Sequence, residues 1–118
     1  VAELNNIAWF CGNAAYAPRH VGETEASPYG LFDMLGNVAE WCLSTFKPYP
    51  YNASDGRDDP AAAGLKVVRG GSWNDTARHA TSAARWRYEP YKPVYNVGFR
   101  VVCEDEEPAP VVDVLAAQ

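Results

Sequence analysis

The sequence predicts an α+β domain with few helices, several short strands and much irregular loop. Three observations carry this expectation. Nine Gly and nine Pro in 118 residues supply many turns and interrupt long periodic runs. Four Trp, seven Tyr and four Phe, 13% of the chain, provide large apolar side chains to bury around short elements. The regularly patterned segments are themselves short. The clearest, "NVGFRVVCE" at 96–104, alternates Val97, Phe99 and Val101 with Gly98 and Arg100, as a half-buried strand does. The length suits one domain.

The elements follow in order. "ELNNIAWF" at 3–10 fits a short helix or a strand. "CGNAAYAPRHVGETEASP" at 11–28 has no sustained period and reads as loop. A Pro28-Tyr29-Gly30 turn leads into "LFDML", and "GNVAEWCLSTF" at 36–46 has the composition of a buried strand. From Lys47 to Leu65 the chain is rich in turn residues, including Pro48, Pro50, Asp55-Gly56 and Asp58-Asp59-Pro60. This predicts a long surface loop with Asp58 and Asp59 solvated. "KVVRGGSW" at 66–73 reads as a strand whose glycine pair marks a bulge or a close approach of another backbone. "SAARWRY" at 82–88 reads as a further strand. The domain spans 1–103, and 104–118 form an acidic, Pro-containing tail or linker.

The net charge of −5 belongs to that tail. Glu104, Asp105, Glu106, Glu107 and Asp113 lie there without a Lys or Arg, so residues 1–103 hold ten acidic and ten basic side chains. A neutral body lacks the electrostatic footprint of a nucleic-acid binder. Residues 69–100 nevertheless carry Arg69, Arg78, Arg85, Arg87, Lys92 and Arg100 against Asp75 and Glu89, a local surplus of +4. They are interleaved with Trp73, Trp86, Tyr88, Tyr91 and Tyr95. Such a mixture binds anions or stacks on flat groups. The alternative is that the Arg stems and rings pack a loop-rich core. No apolar run approaches the roughly 20 residues of a membrane span. No signal-peptide pattern opens the chain, and a start at Val1 suggests a processed or fragmentary product.

Cys11, Cys42 and Cys103 make an odd count with neither a C-x-x-C pair nor zinc spacing. One disulfide with one free thiol and three buried thiols are both compatible with this, so the redox compartment stays open. His20 and His79, the two histidines, read as surface or structural residues. Ser82 has no base near it in sequence, which a nucleophile requires.

"YGLFDMLGNVAEWC" at 29–42 sets Asp33, Gly36, Asn37 and Glu40 among apolar and aromatic residues. Two readings compete. It is a tight turn entering a buried strand, with Asn37 as a turn residue and Glu40 paired to Arg69 or Arg100. Or it is a cation loop. Ca²⁺ takes 6–8 oxygen ligands, commonly carboxylates mixed with backbone carbonyls, and Gly36 permits the turn that would aim such carbonyls inward.

Taken together, "YGLFDMLGNVAEW", "VVRGGSW", "SAARWRYEP" and "NVGFRVV" resemble, in order and spacing, the C-terminal half of the formylglycine-generating enzyme (sulfatase-modifying factor) domain. The resemblance covers roughly residues 3–103. It implies a variant of the C-type lectin fold with little regular structure and bound calcium. The ligands it implies are the Asp33 and Glu40 carboxylates and the Gly36 and Val38 carbonyls. The N-terminal half of such a domain has no counterpart here. The resemblance therefore implies half a domain or a compact version, completed by a second polypeptide or by the missing half.

Catalytic members hold copper with two cysteines five positions apart, the second just before an "AAR". Here "AAR" is Ala83-Ala84-Arg85, so the matching positions are Ala77 and Ser82. A methyl and a hydroxyl cannot replace the soft thiolates that select Cu(I). Copper and cysteine oxidation are therefore not expected. Ergothioneine-synthase-like enzymes carry a similar domain, with iron on a separate helical domain that this chain lacks. Variable receptor proteins of phages and bacteria diversify the region matching residues 74–96. That mechanism acts on Asn codons and does not readily yield Trp86, Glu89 or Lys92, which favours a fixed surface.

The resulting expectation is a non-catalytic, calcium-binding domain serving as a binding or assembly subunit. It would recognise a protein or small-molecule ligand through Trp73, Arg78, Arg85, Trp86, Arg87, Tyr88 and Tyr91, residue types that dominate interface hot spots. The alternative is an oxygen-dependent enzyme of the sulfatase-modifying or ergothioneine-synthase-like type, with its remaining site on another chain or segment. Calcium and cysteine usage lean towards an extracytoplasmic location, periplasmic or secreted.

Overall fold

The computed structural model describes residues 3–105. A single helical turn, α1 (Leu4–Ile7), passes directly into β1 (Ala8–Trp9), so both readings of the opening segment are realised in sequence. Ala8 ends the turn by going extended, at φ −145° and ψ 145°. After the 10–34 loop come β2 (Leu35–Gly36), β3 (Ala39–Thr45), β4 (Lys66–Arg69), β5 (Arg85–Tyr88) and β6 (Val97–Gly98). β1 and β2 pair in parallel. The other four form a sheet in the order β5-β4-β3-β6, antiparallel except for the β3–β6 pair. Among the described residues, one helical turn, short strands and long loops match the expected α+β architecture.

The strand expected over 36–46 divides in two. Asn37 adopts a left-handed conformation (φ 61°), which ends β2 and re-aims the chain into β3. The strand expected over 66–73 stops at Arg69, because Gly70 and Gly71 take φ of 92° and 70°. The close backbone approach is real. A Cβ at Gly70 would stand 2.8 Å from the Met34 carbonyl oxygen, and one at Gly71 would stand 2.8 Å from that of His79. The expected 96–104 strand is cut to Val97–Gly98. Its alternation is intact, but no described strand runs beside the rest. Phe99, Val101 and Val102 therefore stand 78%, 83% and 80% exposed. Glu104 and Asp105 are exposed and irregular, and the remainder of the expected tail lies outside the described residues.

The core is small. Ala8, Phe10 and Ala80 form its centre, with Leu4, Ile7, Cys11, Leu35 and Ala77 packed against them. Val67, Val68 and Ala39 are buried within the larger sheet. The abundant aromatics do not fill a single interior as their number suggests. Trp9, Trp41 and Trp73 are half-buried, whereas Tyr29, Tyr91 and Tyr95 face solvent.

The 47–65 loop is built around a buried cation. Arg57 bonds the Asp55 carboxylate through Nε and Nη2 and also reaches the Pro48 and Pro50 carbonyls. Its own carbonyl accepts from the Thr45 amide at 2.7 Å, which ties the loop to β3. Asp58 is not free in solvent as expected, because the hydroxyls of Ser44 and Tyr51 both donate to it.

Candidate functional site

In the 29–42 segment, Asp33 is buried at φ 55°, and its carboxylate accepts from the Gly22 amide at 2.8 Å and the Thr24 hydroxyl at 3.4 Å. Glu40 points elsewhere. Both of its oxygens accept from Arg100, each at 2.6 Å. The same guanidinium donates to the carbonyls of Phe32 (3.0 Å) and Asp33 (3.1 Å). Glu40 holds Arg100 in its charged form, chiefly through these hydrogen bonds, and raises its pKa.

The loop therefore does gather oxygens around one positive charge, and that charge is a guanidinium. Asp33, Val38 and Glu40 line one cleft with Arg100, but Gly36 lies in β2 against β1. Gly36 has a different duty: a Cβ there would fall 2.3 Å from the Trp9 carbonyl oxygen.

Asn37 is the turn residue that the sequence suggested, and more. Its side chain accepts from the Arg19 amide (2.9 Å) and donates to the Arg19 carbonyl (3.1 Å). Its amide donates to the Trp9 carbonyl and its carbonyl accepts from the Trp73 amide, both at 2.7 Å. One buried Asn thus joins three segments that no sequence spacing connects. Ser72 was also missed. Fully buried, it donates to Asp75 Oδ2 at 2.6 Å and accepts from Asn96 Nδ2 at 2.8 Å. Short polar residues beside the Gly70-Gly71 pair were the only signal for it.

At the positions matching the copper pair, Ala77 packs against the core and Ser82 is exposed, its carbonyl accepting from Arg69 Nη1 at 2.7 Å. All three cysteines are free thiols. Burial raises the Cys42 pKa, with Arg69 opposing and Glu40 adding to the rise, so its thiolate form is disfavoured. Among the described residues, no three His, Cys, Asp or Glu side chains come together as a metal site would need. Beside Ser82 lies a largely apolar cavity of about 350 Å³, lined by Ile7, Leu31, Met34, Leu35 and Arg69 among others.

The expected partner surface is not one surface. Residues opposite one another across strands share a sheet face. By register, Glu40, Arg69 and Arg85 share one face with Val67 and Arg87. Trp41, Val68 and Trp86 share the other with Lys66 and Tyr88. On the first face, Arg69 Nη2 donates to the Tyr49 hydroxyl at 3.2 Å. The Arg85 guanidinium lies over Tyr49 (3.9 Å) and Phe46 (4.5 Å), and that of Arg87 lies over Phe46 at 4.6 Å. On the second, Tyr88 meets Trp41 edge-on at 6.3 Å, and Trp86 leans on His79 at 6.0 Å. Trp73 packs edge-on against Tyr95 at 5.9 Å. Arg78 and Tyr91 are exposed and make no side-chain hydrogen bond or stacking contact with described residues.

Residues 5–105 match the model of the sulfatase-modifying factor enzyme 1-like domain. The chain belongs to this family. The inactive Cα-formylglycine-generating enzyme 2 of Mus musculus is 36% identical over 77 residues, covering 61% of this chain and 21% of that protein. The formylglycine-generating enzyme of Streptomyces coelicolor is 33% identical over 94 residues, covering 75% and 29%. The serine/threonine-protein kinase pkn1 of Chlamydia caviae is 37% identical over 79 residues, covering 64% and 13%. Among solved structures, Treponema denticola variable protein 1 superposes with a TM-score of 0.70 at 32% identity, over 83% of this chain and 36% of that one. The chain thus spans between about an eighth and a third of these relatives, and its fold is of the formylglycine-generating-enzyme type.

Proposed function

We propose that this chain is a non-catalytic member of the sulfatase-modifying factor family that serves as a binding or assembly element. The observation that carries the reading is the pair Ala77 and Ser82 at the positions where copper-holding cysteines belong. The three free thiols lie elsewhere: Cys11 packs against the small core, burial raises the pKa of Cys42, and Cys103 is exposed. The names of the relatives are in keeping. One is an inactive formylglycine-generating enzyme, and another is a kinase that carries a matching segment. Exposed apolar side chains at the end of β6, with Leu31 and Phe32 nearby, suit a chain that docks against further polypeptide.

Calcium enters this reading as a competitor of Arg100. The ion would need the Glu40 oxygens that the guanidinium now takes. Terbium luminescence titration tests this, with Arg100→Gln expected to bind Tb³⁺ more tightly than the parent. Equal or absent binding in both removes the ion from the reading.

The enzymatic alternative rests on the similarity to the Streptomyces enzyme. Anaerobic Cu(I) titration and mass spectrometry of a cysteine-containing peptide incubated with the chain and oxygen separate the two. The binding reading expects no tight copper and an unchanged peptide; conversion of its cysteine to formylglycine rejects that reading.

A further inference from the structure

We propose that β5 is a docking edge for an extended peptide with acidic residues at alternate positions, a proposal that rests on the binding reading. β5 is the outer strand of the four-stranded sheet, and no described strand pairs with its free side. An open edge presents backbone N–H and C=O groups to an added strand.

The side chains on this edge select what adds. Arg69, Arg85 and Arg87 lie on one sheet face, and none forms an ion pair with a described carboxylate. Arg57 and Arg100, by contrast, each have one. The three guanidiniums are held by rings and carbonyls instead: Tyr49, Phe46, and the backbone oxygens of Ser82 and Lys47. Arg85 spends one N–H on the Lys47 carbonyl, and Arg87 donates to no described acceptor. Rings fix the cations without neutralising them, leaving them oriented for an incoming oxyanion.

Spacing favours a peptide over a single small anion. Side chains two apart on a strand stand about 6.6–6.8 Å from each other on one face. An added strand carries the same repeat. Acids at i and i+2 therefore meet Arg85 and Arg87, while the residues on either side fall on the opposite face. There Trp86, 50% exposed, and Tyr88 offer an apolar surface. The pattern that fits is acid–apolar–acid. This also explains why one strand carries Arg-Trp-Arg-Tyr, with charge on one side and rings on the other. Charged residues on an edge also guard against aggregation. That role requires no preference for any one arrangement of acids.

The test uses the full chain and two fluorescein-labelled peptides of identical composition. One alternates Glu and Val, and the other groups the Glu residues before the Val residues. In low salt, anisotropy should show the alternating peptide binding about tenfold or more tightly than the blocked one. Arg87→Glu should weaken it by a similar factor while the circular dichroism spectrum stays unchanged. Hydrogen exchange should show protection of the 85–88 amides by the alternating peptide alone. Equal affinity for both peptides, indifference to Arg87→Glu, or protection confined to other segments overturns the proposal. Those results leave the binding reading intact, whereas copper-dependent peptide oxidation removes both.

Discussion

Arg100 holds Glu40 through two hydrogen bonds of 2.6 Å and the 31–34 loop through two backbone carbonyls, so one side chain fastens the segment after β6 to β3 and to that loop. The pair is partly exposed, which limits its worth below that of a buried one. Arg100→Gln should lower stability to urea by about 1–2 kcal/mol. Glu40→Gln should cost about the same. The double variant should be little worse than Arg100→Gln alone, because that single change already removes the coupled Glu40–Arg100 contact.

Ser72 sits where a hydroxyl has no water to turn to. It is fully buried, with Asp75, Asn96 and the Asn74 amide around it. Ser72→Ala leaves those groups short of a partner and should cost about 1–3 kcal/mol in chemical denaturation. Ser72→Val should cost more, because a larger apolar group adds overpacking.

Gly36 combines a φ of 75° with a backbone in contact. Gly36→Ala meets both the left-handed penalty and the Trp9 carbonyl. It should destabilise the chain by at least about 2 kcal/mol, visible as a lowered melting temperature. Gly22→Ala, at the same φ of 75° but with nothing within 4 Å of the added methyl, isolates the conformational part and should cost less.

The Asp55–Arg57 pair predicts an acid transition confined to the 47–59 loop. Hydrogen bonding to the Arg57 side chain holds the Asp55 carboxyl down at about 2, against an ordinary value of 3.8. A lowered carboxyl pKa means its stabilisation is complete above the ordinary value and is lost as pH falls towards 2. Tyr51, with the Arg57 guanidinium 5.3 Å from its ring centre, is the reporter. Its fluorescence should change between about pH 4 and 2. Asp55→Asn should abolish the part due to this pair. Asp58, lowered by the Ser44 and Tyr51 hydroxyls, accounts for what remains.

Local pattern was legible where local chemistry decides the outcome. The glycine pair announced its backbone contact, and the Asp/Pro/Gly punctuation marked the 47–65 loop. The Glu40–Arg100 pairing was one of two options visible from charge alone, and it is the one the fold makes. What spacing could not show was long-range. Asn37 reaching Arg19, Ser72 reaching Asn96 and Arg57 gathering its loop all depend on which segments fold together. The 96–104 alternation overstates the strand, which is only Val97–Gly98, because a strand also needs a neighbour and alternation alone does not supply one. The seven-residue surface failed as a surface for a related reason. Alternation places Arg85 and Arg87 on one side of β5 and Trp86 and Tyr88 on the other.

The most direct measurement is the fate of a cysteine-containing peptide incubated with this chain, Cu(I) and oxygen, read by mass spectrometry alongside the copper stoichiometry. With Ala77 and Ser82 in place of the thiolate pair, the peptide should return unchanged and no tight copper should remain bound. Formylglycine in the peptide, with copper retained by the chain, would contradict a non-catalytic role.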